Sequence, residues 1–123
     1  MSKRRFTNGM VVWAAGVPDR NGIIKPVERP LLITSVHPTD KKAPLVAHCI
    51  STRRDNPASD PVAEMPWDAN TGSTTGLFEW CAVVLRWFVI LEQDQVTKIT
   101  GHVSDEFLDD VLQKIADARD YLG

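Results

Sequence analysis

RPLLITSVHPTDKKAPLVAHCIS, residues 29–51, carries two apolar runs on either side of a polar turn, and the fold follows from how those runs pair. Pro30 to Val36 is largely apolar and reads as a strand, and Leu45 to Ser51 reads as a second. Between them, His37 to Pro44 holds Pro38, Asp40, Lys41, Lys42 and Pro44, residues that favour turns over ladders. Two neighbouring buried strands result. Paired antiparallel, they bring Arg29-Pro30, which opens the first, to Ile50-Ser51-Thr52, which closes the second.

Working outward, Met10 to Ala15 follows an Asn8-Gly9 turn and is rich in Val and Trp, as a strand would be. The segment Gly16 to Glu28 is a polar loop with Pro18, Gly22 and Pro26, of a length that usually signals function. Beyond the pair, Arg53 to Pro61 is a polar loop and Val62 to Met65 a short strand flanked by prolines, as expected at a sheet edge. Trp67 to Thr75 is a Gly/Asn/Thr/Ser loop. Leu77 to Leu91 reads as one long buried strand or as two shorter ones bent in the middle, because its apolar run exceeds the usual strand length. Val96 to Ile99 is a further short strand. Short strands with regularly spaced turns point to a barrel or sandwich rather than a parallel α/β fold.

The period then changes. Ser104 is placed as an N-cap, with Asp105 and Glu106 in the first turn, where carboxylates complement the helix dipole. Phe107, Leu108, Val111, Leu112, Ile115 and Leu122 mark one face at helical spacing, while Asp109, Asp110, Gln113, Lys114 and Asp117 fall largely on the other. One amphipathic helix on a β core is the expectation.

The 123 residues suit one domain, residues 1–123, with the basic residues 1–7 reading as a flexible arm. Net charge is -2, but residues 1–60 carry ten Lys/Arg against five Asp/Glu, and residues 61–123 four against eleven. The front half would draw a polyanion and the back half a basic segment. Cys49 and Cys81 each sit in an apolar run with no CxxC or HxxxH spacing nearby, so both read as buried thiols suited to a reducing, cytoplasmic compartment. No apolar stretch follows the Met-Ser-Lys-Arg-Arg start, and Arg86 interrupts the longest apolar run. Neither a signal peptide nor a membrane span is expected.

P-loop, GxSxG and HExxH signatures are absent, and no metal or cofactor is expected. His37, His48 and His102 are scattered, and His48 alternates with Val46 and Ile50 as a satisfied core histidine. The informative pair is Arg29 with the Ser51-Thr52 hydroxyls. An arginine fork and a neighbouring hydroxyl both donate to phosphate oxygens and stabilise charge that develops in phosphoryl transfer. Spacing alone leaves the plainer roles open, with Arg29 bridging a carboxylate and Ser51 capping a turn.

Gly9-Met10-Val11-Val12-Trp13, a glycine-containing loop, and Arg29-Pro30-Leu31-Leu32-Ile33 together resemble the opening of the MazF/PemK toxins. Ile50-Ser51-Thr52 resembles the family's Ile-Thr or Thr-Thr strand end, with serine where threonine is usual. Thr75-Gly76-Leu77 is similar to its Thr/Ser-Gly-Leu step, and Lys98-Ile99-Thr100-Gly101-His102-Val103-Ser104 to the approach to its last helix. The likeness runs from about Asn8 to Leu122. It departs at Arg86-Trp87, where many relatives carry an Asp-Gln-like polar pair, and at Lys25-Pro26-Val27-Glu28, which replaces a Gly-rich approach.

The resemblance implies a mainly β fold (β + α): a small SH3-like β-barrel with a C-terminal amphipathic α-helix, paired as a homodimer. It implies a toxin of a toxin-antitoxin system that inhibits growth as an endoribonuclease, a metal-independent hydrolase of single-stranded RNA. The ribose 2'-hydroxyl is the nucleophile there, and a 2',3'-cyclic phosphate the product. Carried over by position, Arg29 handles proton transfer and phosphate charge, and Ser51, or Thr52 if the register slips by one, supplies the hydroxyl. Arg20, Lys25, Arg53 and Arg54 are candidates for binding RNA phosphates, and Trp67 for stacking on a base or for a structural role. A cognate antitoxin protein is the implied partner. The alternative is a catalytically inactive SH3-like barrel that binds protein or RNA.

Overall fold

The computed structural model describes residues 5–19, 21–53 and 61–121, the last three by backbone alone. Its elements are β1 (Met10–Ala14), β2 (Arg29–Ser35), β3 (Leu45–Ser51), β4 (Val62–Glu64), β5 (Ala82–Leu91), β6 (Val96–His102) and α1 (Asp105–Tyr121). The fold is mainly β with one C-terminal helix. Among the described residues the six strands form one antiparallel sheet in the order β4-β5-β3-β2-β1-β6.

The expected pairing of β2 with β3 is present, with Leu31 opposite Cys49 and Leu32 opposite His48. The β-pleat sends neighbouring residues to opposite faces, and both faces of this sheet are apolar. Val11, Leu32, Ile50, Val83 and Leu85 join one cluster with Met65, Cys81 and the helix residues Leu108, Val111 and Ala118. Val12, Ala14, Leu31, Ile33, Ala47, Cys49, Leu91 and Val96 join a second. Phe6 is laid against that second cluster, so the described part of the N-terminal arm is anchored to the core. Residues 1–4 lie outside the described residues.

Leu77–Leu91 resolves as one strand only from Ala82 onward, bent in its middle. Between the pairs His48–Phe88 and Ile50–Val83, β3 advances two residues while β5 advances five. The residues in excess bulge out of the ladder, which increases local bend and twist. β6 runs on to His102, three residues past its expected end.

Among the described residues the sheet does not close into a barrel, which corrects the expectation in its finer part. β4 has only three residues, and Pro66 just after it has no N–H to continue a ladder. The following loop instead crosses to β6 and packs backbone against backbone. The His102 amide donates to Thr74 O at 2.9 Å, and Thr100 Oγ1 donates to Thr75 O at 2.9 Å. Two glycines permit the approach. A Cβ on Gly101 would stand 2.0 Å from Thr74 O, and one on Gly76, which has φ +73°, would stand 2.7 Å from Thr100 O. The two edges of the sheet are bridged by this loop rather than by strand pairing.

At the C-terminus, Ser104 Oγ accepts from the Phe107 amide at 3.1 Å, as an N-cap does. The acidic face is solvated, with Asp110 and Lys114 paired at 3.0 Å in the favourable i,i+4 order. Among the described residues no helix is long and apolar enough to cross a membrane.

Candidate functional site

β2 and β3 end at the mouth of a cleft of about 560 Å³, lined on one side by Arg29 and Pro30 and on the other by Ile50, Ser51, Thr52 and Arg53. Continuing the Leu31–Cys49 pairing by two residues sets Arg29 across from Ser51. Trp13 of β1, Trp87 of β5 and the loop residues Asp19, Asn21, Lys25, Val27 and Glu28 complete the wall. Arg29, Ser51, Thr52, Lys25 and Arg53, widely separated in the chain, thus share one concavity.

Ser51 has both roles open to it. Its Oγ accepts from the Arg53 amide at 3.1 Å and so caps the turn that leaves β3. A hydroxyl also has a proton to give, and among the described residues nothing accepts it, so it can serve an anion in the cleft. Thr52 and Arg53 are exposed beside it, whereas Ser51 is half-buried.

Arg29 is half-buried, not solvent-facing, and its Nε is buried without a hydrogen-bond acceptor among the described residues. Its guanidinium carbon lies 5.2 Å from the centroid of the Trp87 ring, within cation–π range. Across the cleft wall, Lys98 Nζ stands 4.9 Å from the Trp13 ring centroid.

The Gly16–Glu28 loop is not featureless. Pro18 bridges to Ile24, Gly22 at φ +80° makes the tip, and Asp19 Oδ1 accepts from the amides of Asn21 and Ile23. The Ile23 amide above all, then the Asn21 amide, Lys25 and Arg29, hold the Asp19 carboxyl below its ordinary range, against partial desolvation. Lys25 Nζ approaches Asp19 Oδ2 at 3.9 Å. The cleft wall therefore carries three cations, Lys25, Arg29 and Arg53, against two carboxylates, Asp19 and Glu28. A polyanion entering it meets net positive charge and several N–H and O–H donors.

No family model and no curated protein matches this chain.

Trp67 is not among the residues lining the cleft. Its loop turns toward β6, and its Nε1 donates to Glu64 Oε1 at 3.3 Å. Arg20 and Arg54 lie outside the described residues. His48 is buried, bonded to Thr34 Oγ1 at 2.9 Å, and burial pushes its pKa down to about 4, so it is a neutral core group away from the cleft. Cys81 is buried as well, and burial, with Glu79 and Glu64 nearby, pushes its thiol up to about 11. A thiol so rarely ionised is a poor nucleophile.

Arg86 points away from the cleft, and its Nη2 donates to Ala118 O of α1 at 3.3 Å. Sequence reasoning did not place Trp13, Glu28 or Trp87 in the cleft. Asp19 had a usable signal in Asp19-Arg20-Asn21-Gly22, a turn-forming run in which a carboxylate faces its own loop. Trp87 had none, because the bulge that aims it is a feature of pairing.

Proposed function

We propose that this protein is a metal-independent endoribonuclease of the MazF/PemK toxin type, cutting single-stranded RNA through a 2',3'-cyclic phosphate. The observation that carries the reading is the meeting of Arg29 and Ser51 at one cleft from opposite ends of two paired strands. A phosphodiester seated there has the guanidinium and the Ser51 hydroxyl as donors for its non-bridging oxygens. These strengthen as the pentacoordinate phosphorus gathers charge, which is how donors lower a phosphoryl-transfer barrier. The attacking oxygen is the substrate's own 2'-hydroxyl, so the protein needs no nucleophile. Arg29 handles the proton and the phosphate charge, with Thr52 as a second hydroxyl, while Lys25 and Arg53 hold flanking phosphates, as Arg20 and Arg54 would by sequence.

The SH3-like barrel of that family is approached by a sheet whose edges are bridged through the loop at Thr74–Gly76. A homodimer is part of the reading. Phe88 and Ile90, both 60% exposed, alternate on the outer face of β5 and give a second copy apolar surface to cover. A cognate antitoxin that fills the cleft and a cytoplasmic site of action complete it.

The test is to incubate the protein with a long single-stranded RNA in EDTA and to examine the fragments for 2',3'-cyclic ends. Arg29→Ala and the bulkier Arg29→Met are expected to abolish cleavage while unfolding cooperatively. Undiminished cleavage in both removes Arg29 from the mechanism. A second reading, a catalytically silent barrel that binds protein or RNA, is favoured by Trp87, an aromatic where relatives carry a polar residue. Tight RNA binding without cyclic ends would select it.

A further inference from the structure

Trp87 sits where β5 leaves regular pairing. The five-against-two mismatch between Val83 and Phe88 puts Arg86 and Trp87 in the bulged stretch, where successive side chains are re-aimed. As neighbours on a strand they face opposite ways: Arg86 reaches Ala118 O on the helix, and Trp87 reaches the cleft. There its ring lies 5.2 Å from the Arg29 guanidinium carbon.

The chemistry of that contact differs from an ion pair. A carboxylate bonded to Arg29 would take its N–H donors; Asp19 is near enough to feel the charge, but no hydrogen bond or ion pair joins the two among the described residues. An aromatic face attracts the cation through its quadrupole and restricts its plane, yet accepts none of the in-plane N–H groups. With Nε buried and lacking an acceptor among the described residues, the orientation of the guanidinium depends on packing of this kind. We infer that Trp87 is a positioning residue: its ring holds the Arg29 guanidinium so that the N–H donors remain available to an anionic group in the cleft, the scissile phosphodiester. This rests on the ribonuclease reading and adds to it the residue that orients its arginine.

The experiment compares wild type, Trp87→Phe and Trp87→Leu. Cleavage is measured on single-stranded RNA, and binding on the same strand with 2'-O-methyl riboses, which cannot react. Loss of a cation–π contact in Trp87→Leu is expected to lower kcat roughly three- to thirtyfold. KM and the Kd for the methylated strand should move much less, and Trp87→Phe should recover most of the rate.

Equal losses in Trp87→Phe and Trp87→Leu overturn the inference, since apolar bulk alone would then explain the site. A loss confined to KM and Kd also overturns it, by making Trp87 a surface on which a base stacks. Independently of cleavage, the Arg29 Hε resonance should be shifted upfield by the ring in wild type and return to the ordinary arginine position in Trp87→Leu. An unshifted wild-type resonance refutes the pairing. A wild type that cuts no RNA yet keeps the shift sinks the ribonuclease reading alone and leaves the pairing standing.

Discussion

Acid should loosen this protein through one histidine, and the size of the effect can be worked from His48. The ring is buried on β3, held by Thr34 Oγ1 and capped by Phe88, whose centroid is 6.0 Å away. Burial lowers its pKa from 6.5 to about 4, so the folded state keeps a neutral ring that the unfolded chain would protonate. The sign follows from proton counts. Above pH 6.5 neither state binds a proton at this site and its stabilising effect is complete. Between 6.5 and about 4 the unfolded state binds one and the folded state does not, so stability falls as pH falls. Below about 4 both are protonated and the loss stops growing.

At 1.36 kcal/mol per unit the full loss is on the order of 3 kcal/mol, a large share of the ~5–15 kcal/mol that domains of this size possess. With a urea slope of about 1–3 kcal/mol per molar, the midpoint should drop by about 1 M or more between pH 7 and pH 4.5. Urea titrations followed by tryptophan fluorescence measure this directly. The lowered carboxyls of Asp19 and Asp68 act in a separate window, below their ordinary value of 3.8. In His48→Gln, which keeps a polar partner for Thr34, the slope across pH 6.5 to 4.5 should largely vanish. The same slope in that variant would refute the reasoning and assign the acid sensitivity elsewhere.

Ser51→Ala should lower cleavage by about 10²- to 10³-fold if its hydroxyl serves the transition state, and Ser51→Thr should retain most activity; equal activity of Ser51→Ala and wild type removes the hydroxyl from the chemistry. Binding of a non-cleavable single strand should weaken with salt, and Arg53→Ala should reduce the log–log slope by about 0.7, the share of one phosphate contact. An unchanged slope places Arg53 off the RNA path. Gly101→Ala would drive a Cβ into Thr74 O, so a cost of about 2–3 kcal/mol and a drop of roughly 10 °C in Tm are expected by calorimetry. Wild-type stability in that variant means the loop does not need its close seat on β6.

Most strands were legible because each is an apolar run between strong turn signals. Residues 29–51 alone predicted the antiparallel pair and the meeting of Arg29 with Ser51. The Ser104 cap and the helix face were equally plain, since polar and apolar residues there follow one period. What escaped were properties of pairing that no single segment carries. The bend in β5 arises from a register mismatch with β3, so the aromatic wall of the cleft has no local signature. The absence of barrel closure came from the brevity of β4 and from a loop that reaches β6 first. The glycines of Thr75-Gly76-Leu77 and Gly101 were visible as motifs, but their purpose emerges only when the two segments are seen to touch. Trp67 lies outside the lining of the cleft for a related reason, because the direction of a loop is decided by where its far end docks.

That docking also bears on how the molecule behaves in a crowd. Bare lateral N–H and C=O groups invite strand addition by a neighbouring chain. Here one flank of the sheet is three residues long between Pro61 and Pro66, and the other is partly occupied by Thr74 and Thr75. Strand addition is thus blunted at the short β4 flank and at the His102 end of β6, where the loop has already taken the next ladder position.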